Sequence, residues 1–131
     1  MSWYSLIWWL LFSAANGLQD AVFYHMADYS RQPVKFTHGW GVAMRLLAAC
    51  AILDSAKPGK WAMELIVLGM TFSLFHNGFY YQARRAFGVK EYNFFSDSDT
   101  SKALFDFTFA ERALLFVTGI LLYWFCFIYK K

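Results

Sequence analysis

The sequence predicts an all-α membrane protein, a four-transmembrane-helix antiparallel bundle, and three observations predict it. The chain is 59% hydrophobic and 22% aromatic, with a positive mean hydropathy of +0.33. Only 16% of its 131 residues are charged, against roughly a quarter in soluble domains, so it lacks the polar residues to coat a water-soluble surface. Its apolar residues fall into four stretches, each about long enough to cross a ~30 Å hydrocarbon slab at ~1.5 Å per residue.

The first stretch, 3–27, opens on Trp3 and Tyr4, which suit a membrane interface. It does not read as a cleaved secretion signal, since it lacks a basic start and exceeds the usual apolar run of about 7 to 15 residues. Pro33 separates it from the second helix, 37–56, and the turn Lys57-Pro58-Gly59-Lys60 separates that from the third, 61–85. A polar run, Ser96 to Ser101, precedes the fourth, 103–129, which closes on Trp124 and Tyr129. The connection 86–102 carries Phe94 and Phe95 among its charges, which suggests that it lies along the interface. No alternation of the kind found in barrel strands runs through these stretches. A single integral membrane domain therefore covers 1–131.

Basic residues orient the bundle. Arg31, Lys35, Arg84, Arg85, Lys90 and Lys102 flank loops 28–36 and 86–102, while Lys57, Lys60, Lys130 and Lys131 lie on the other side. The imbalance favours cytoplasmic loops 28–36 and 86–102, with both termini outside. The two cysteines sit at different depths: about 20 Å for Cys50 and about 35 Å for Cys126 from the face of those loops, too far apart for a disulfide.

Counting residues inward from that same face exposes the feature that bears on function. Asp20, Arg45, the pair His76 and Asn77, and the pair Glu111 and Arg112 all fall roughly 12 Å below it at ~1.5 Å per residue. Each of the four helices thus contributes to one polar layer, in which Asp20 and Glu111 balance Arg45 and Arg112. An unpaired charge at a helix centre costs roughly 2.5 to 3.5 kcal/mol on insertion scales, so the groups should pair. The expected pairs are Asp20 with Arg45, and Glu111 with Arg112 or Arg45, with His76 and Asn77 filling the remaining hydrogen bonds. A second tier lies nearer the basic face. Asn16, Asp20 and Tyr24 share one helix face at i, i+4, i+8, as do His76, Tyr80 and Arg84. Gln19, His25, His38, Tyr81 and Asp106 could join them in a polar funnel.

Intramembrane acids, bases and histidines commonly mark proton or substrate paths. The leading functional expectation is therefore an oligomeric transport protein, or one that binds an ion or solute. Four helices leave little room for the repeat-built alternating access of larger carriers, hence the oligomer. The candidate pathway residues are Asp20, Arg45, His76 and Glu111, supported by Asn16, Asn77, Tyr80, Arg84 and Arg112. Two alternatives stay open. One is a structural or assembly subunit of a larger membrane complex, in which the layer only fixes helix register, at about 0.6 kcal/mol per interhelical hydrogen bond. The other is a metal-dependent intramembrane enzyme using His25, His38, His76, Asp20 and Glu111, although no HExxH or zinc-spaced cysteine pair is present. No resident metal or other cofactor is assigned by these patterns. The expected partner is the lipid bilayer, together with further copies of the chain or other membrane subunits. With a net charge of +3 spread over the loops, nucleic acid is not an expected partner. No GxSxG elbow, P-loop or dinucleotide fingerprint occurs.

Overall fold

A computed structural model describes residues 1–30, 38–53, 57–97 and 107–129, the side chains of 38–40 excepted. Among these residues the protein is wholly helical: α1 (Trp3–Ser30), α2 (His38–Ile52), α3 (Trp61–Ala86) and α4 (Phe109–Tyr123). A 3-10 turn, Pro58–Lys60, leads into α3, and a π-helical turn, Trp124–Tyr129, continues α4. Loop residues 31–37, Lys102, Asp106 and the two C-terminal lysines lie outside the described residues.

The main packing is α1 against α3, which run parallel. Leu6, Trp9, Ser13, Gly17 and Ala21 recur every three or four residues on α1 and are buried. They form one stripe, as core-facing helix residues do. The small members let the two backbones approach, and Gly17 marks the tightest point: a Cβ there would stand 2.1 Å from the carbonyl oxygen of His76. Below this crossing the Trp9 indole donates to the Leu68 carbonyl at 2.8 Å, and Thr71 returns its hydroxyl to the Val67 carbonyl of its own helix at 2.8 Å.

The α4 helix runs antiparallel to α3. Gly119 meets Thr71 and Met70, Phe116 packs on Phe75, and Tyr123 and Phe127 close a cluster with Leu6 and Val67. Glu64, fully buried, pairs there with the Met1 ammonium. Only one stripe of α2 turns inward. Gly41 and Ala49 are buried, with Arg45, Ala48 and Ile52 half-buried between and beyond them, while Val42, Met44, Leu46 and Leu47 point outward.

Two helices, Pro58–Ala86 and Phe109–Tyr129, are long and apolar enough by composition to cross a membrane. The four expected spans are thus supported in part. The α1 helix is long enough, but Asn16, Gln19, Asp20, His25 and Asp28 dilute its hydropathy, and the apolar part of α2 is short, Gly41–Ile52. Where the sequence suggests a fourth helix from about 103, the observed one starts at Phe109. Thr108 adopts a non-helical backbone and caps α4 in a box, its hydroxyl accepting from the Glu111 N–H while Glu111 accepts from the Thr108 N–H. The third helix begins and ends within a residue of expectation, and the first runs on to Ser30.

Candidate functional site

Three helices bring polar side chains together on the loop side of the Gly17 crossing. Asp20 from α1, Arg45 from α2 and His76 from α3 form a triangle. Arg45 Nη2 donates to Asp20 Oδ2 at 2.8 Å, His76 Nε2 lies 3.0 Å from that same oxygen, and Arg45 Nη2 and His76 Nε2 are 3.1 Å apart. Asn16, one turn before Asp20, accepts from Arg45 Nε at 2.8 Å. Asn77 Oδ1 stands 2.8 Å from His76 Nδ1. Phe72, one turn before His76, stacks on the imidazole and lies under the Arg45 guanidinium, 5.0 Å from its centroid. This cation-over-ring contact adds to the hold on Arg45.

The local sequence explains why these groups meet. Glycine at 17 lets α1 approach α3 until Asp20, three residues on, reaches the His76 ring. The α2 helix presents Arg45 on the same stripe as Gly41 and Ala49, so the guanidinium enters between α1 and α3. The cluster is only partly shielded: the side chains of Arg45, Asp20 and His76 keep 27%, 16% and 11% of their exposure. Its ionic pairs are therefore reachable from outside the helix bundle.

Proton arithmetic constrains this triangle. A guanidinium only donates and a carboxylate only accepts, so His76 Nε2 must either accept from Arg45 or donate to Asp20. In the first state Nδ1 carries the proton and donates to Asn77. A doubly protonated ring donates to Asp20 and Asn77 at once, and Arg45 then loses one acceptor. Protonation of His76 is thereby linked to the main polar tie that holds α2.

Two further contacts continue the seam toward the basic face. Tyr24 meets Tyr80 edge to face at 5.9 Å between centroids, and Asp28 pairs with Arg84 Nη2 at 2.6 Å. The contacts at 20 and 76, 24 and 80, 28 and 84 advance by one helical turn each, as two parallel helices in constant register require. His25 stacks on Phe87 at 4.5 Å.

Glu111 and Arg112 take part in a different group of contacts. Glu111 is exposed in the first turn of α4, where Oε2 accepts from the Thr108 N–H at 2.8 Å and from its hydroxyl at 2.9 Å. Arg112 is fully buried. It donates to the Thr108 and Ser96 carbonyls and lies over the rings of Tyr81 and Phe109. These contacts fasten the connection after α3, whose Phe94 ring fills the space beside Gly78. The depth count placed both residues in the polar layer because it began α4 too early.

Sequence reasoning passed over Glu64 and Gly17. Glu64 falls in the first turn of α3, where a charge is ordinarily solvated, and the fold is what reveals its burial. Gly17 had a legible signal in the small residues Ser13, Gly17 and Ala21 at four-residue spacing. Among the described residues, no group of three or more His, Cys, Asp and Glu side chains is gathered closely enough to hold a metal ion. Comparison of the chain with protein-family models, curated proteins and solved structures finds no match.

Proposed function

We propose that this is a small multi-pass membrane protein with four membrane-embedded helices, and that its Asp20–Arg45–His76 triangle handles protons for an oligomeric transport or solute-binding activity. The observation that carries the reading is the single carboxylate oxygen of Asp20, contacted by both a guanidinium and an imidazole that also contact each other. An imidazole that accepts from Arg45 through Nε2 exchanges that partner for Asp20 when this nitrogen gains a proton. Membrane embedding is supported by exposure: only 28% and 22% of the most apolar windows of the two candidate spans are buried within the protein. A soluble core helix would be mostly covered. Leu46, Leu47, Ile66, Leu114, Val117 and Leu121 all lie outward, as lipid-facing residues do.

In this reading loops 28–36 and 86–102 face the cytoplasm and both termini lie outside. A proton entering the seam beside Asp28 passes the tyrosine pair and reaches His76. The imidazolium donates to Asp20, Arg45 is released from the ring nitrogen, and α2, otherwise held by one small apolar stripe, shifts. Below the cluster the seam is closed by Gly17, Thr71, Leu68 and Trp9. Movement of α2, or a path shared with a second copy, would complete passage to the other side.

A structural reading is favoured by one specific observation: every member of the triangle already has a direct side-chain partner. Such a clasp would fix helix register in a larger assembly without moving protons. The two readings separate in proteoliposomes carrying an internal pH dye. Acidification of the lumen on imposing a pH gradient is expected for the native chain and lost for His76→Phe. Undiminished flux in a variant with Asp20→Leu and Arg45→Leu together would overturn the proton-handling reading and leave the clasp.

A further inference from the structure

We infer that Arg84, at the loop-side end of the α1–α3 seam, is the anchor of an oxyanion site that takes a phosphate group at the membrane face. The inference rests on the membrane reading above, because it places the end of α3 at headgroup level. The geometry that carries it is an incompletely matched guanidinium. Arg84 offers five N–H donors, and Asp28 accepts from Nη2 alone. Nε and Nη1 are buried and meet no hydrogen-bond acceptor among the described residues. Three N–H groups of a permanent cation thus lack an acceptor, and a buried charged donor without one is costly. An oxyanion supplies what is missing, since phosphate oxygens accept several charge-assisted hydrogen bonds from one arginine.

The surroundings suit that ligand. The side chain of Arg84 keeps only 11% of its exposure, whereas its partner Asp28 keeps 61%. The carboxylate is therefore the solvent-side part of the pair and the part able to swing aside. Arg85 and Lys90 are exposed next to it. Gly88, at φ +104°, turns the chain so that the Val89 N–H bonds back to the Arg84 carbonyl and Lys90 follows close behind the helix end. Two exposed cations near one largely buried guanidinium give both attraction and a defined seat. Two sources of the same chemistry fit: the phosphate diester of an anionic lipid headgroup, and free inorganic phosphate.

The test uses the full chain in nanodiscs. In mixed discs of phosphatidylcholine and phosphatidylglycerol, lipid retained on the protein is identified by native mass spectrometry. In pure phosphatidylcholine discs, inorganic phosphate is titrated and followed by its phosphorus resonance. If the lipid is the source, the native chain retains phosphatidylglycerol preferentially, and Arg84→Gln lowers that retention about tenfold or more, the loss of at least one charge-assisted contact. Arg85→Gln, which removes only a surface charge, lowers it by less than about fivefold. If the source is free phosphate, binding appears in the pure discs and is lost in Arg84→Gln. Asp28→Asn provides a variant that keeps the arginine. It removes the competing carboxylate, so binding is at least as tight as in the native chain. Absence of both lipid preference and phosphate binding, or equal losses in Arg84→Gln and Arg85→Gln, overturns the site. Failure of the membrane reading shows separately, as release of the protein from vesicles by alkaline carbonate.

Discussion

Arg45 and Arg112 are both arginines drawn in from the surface, and the protein accommodates them by opposite means. Arg45 meets a carboxylate, an imidazole and an amide from two other helices, while Arg112 meets backbone carbonyls and the faces of Tyr81 and Phe109. The first setting contains groups that can change protonation, and its hydrogen bonds have more than one consistent arrangement. In the second, the cation sits on two backbone carbonyls and two aromatic faces supplied by its own helix, the end of α3 and the connection between them. The difference teaches that a charge inside an apolar bundle is not by itself a sign of activity. What marks the Arg45 setting is His76, a partner whose ring nitrogen can act as donor or as acceptor.

The largest test of this contrast is Gly17→Leu. The added side chain collides with the His76 backbone and forces α1 from α3, at about 3 kcal/mol by analogy with overpacked cores. Thermal unfolding in detergent followed by tryptophan fluorescence should show the loss. The contacts of Arg112 with Ser96 and Thr108 should survive at temperatures where the triangle has opened. Arg112→Gln should cost about 2 kcal/mol, because it removes the charge-assisted hydrogen bonds of a buried guanidinium to the Ser96 and Thr108 carbonyls. Added to Glu111→Gln, the losses should sum if the cap and the arginine act independently.

A double-mutant cycle on Asp20→Asn and Arg45→Met should instead reveal coupling of about 1.5 kcal/mol, each single change leaving the other charge unmatched. Additive losses there would mean that Asp20 and Arg45 are only neighbours. The smallest expected effect is that of Thr108→Ala, about 1 kcal/mol from loss of the helix cap. It should lower stability without changing proton flux, and an altered flux would tie α4 to the triangle.

The extent to which the site was legible depended on where the helices begin. Asp20, Arg45 and His76 could be aligned by counting residues because the ends of α1, α2 and α3 nearest the basic face lie within a few residues of where the breakers place them. The same count failed for α4. Phe105 and Phe107 continue the apolar pattern of the sequence ahead of Phe109, so hydropathy offers no edge, and the edge is set by capping chemistry. Thr108 followed by Glu111 three residues later was the available sign. The parallel pairing of α1 with α3 could not be read at all, since hydropathy orders spans along the chain without choosing which of them touch. The buried Glu64 was hidden for a related reason: its position near a helix end resembles that of a solvated charge until the surrounding helices are in place.

The long separation in sequence between the members of the triangle also bears on how the protein is made. Asp20 precedes Arg45 by 25 residues and His76 by 56. If α1 is membrane-embedded, as proposed above, inserting it singly would expose a carboxylate to hydrocarbon, at a cost of roughly 2.5 to 3.5 kcal/mol for a charge at helix centre. Entering as a hairpin with α2, it would carry its counter-charge with it. On that proposal the ion pair that later meets His76 would be first of all an escort during synthesis, with α3 arriving after α1 and α2 have joined.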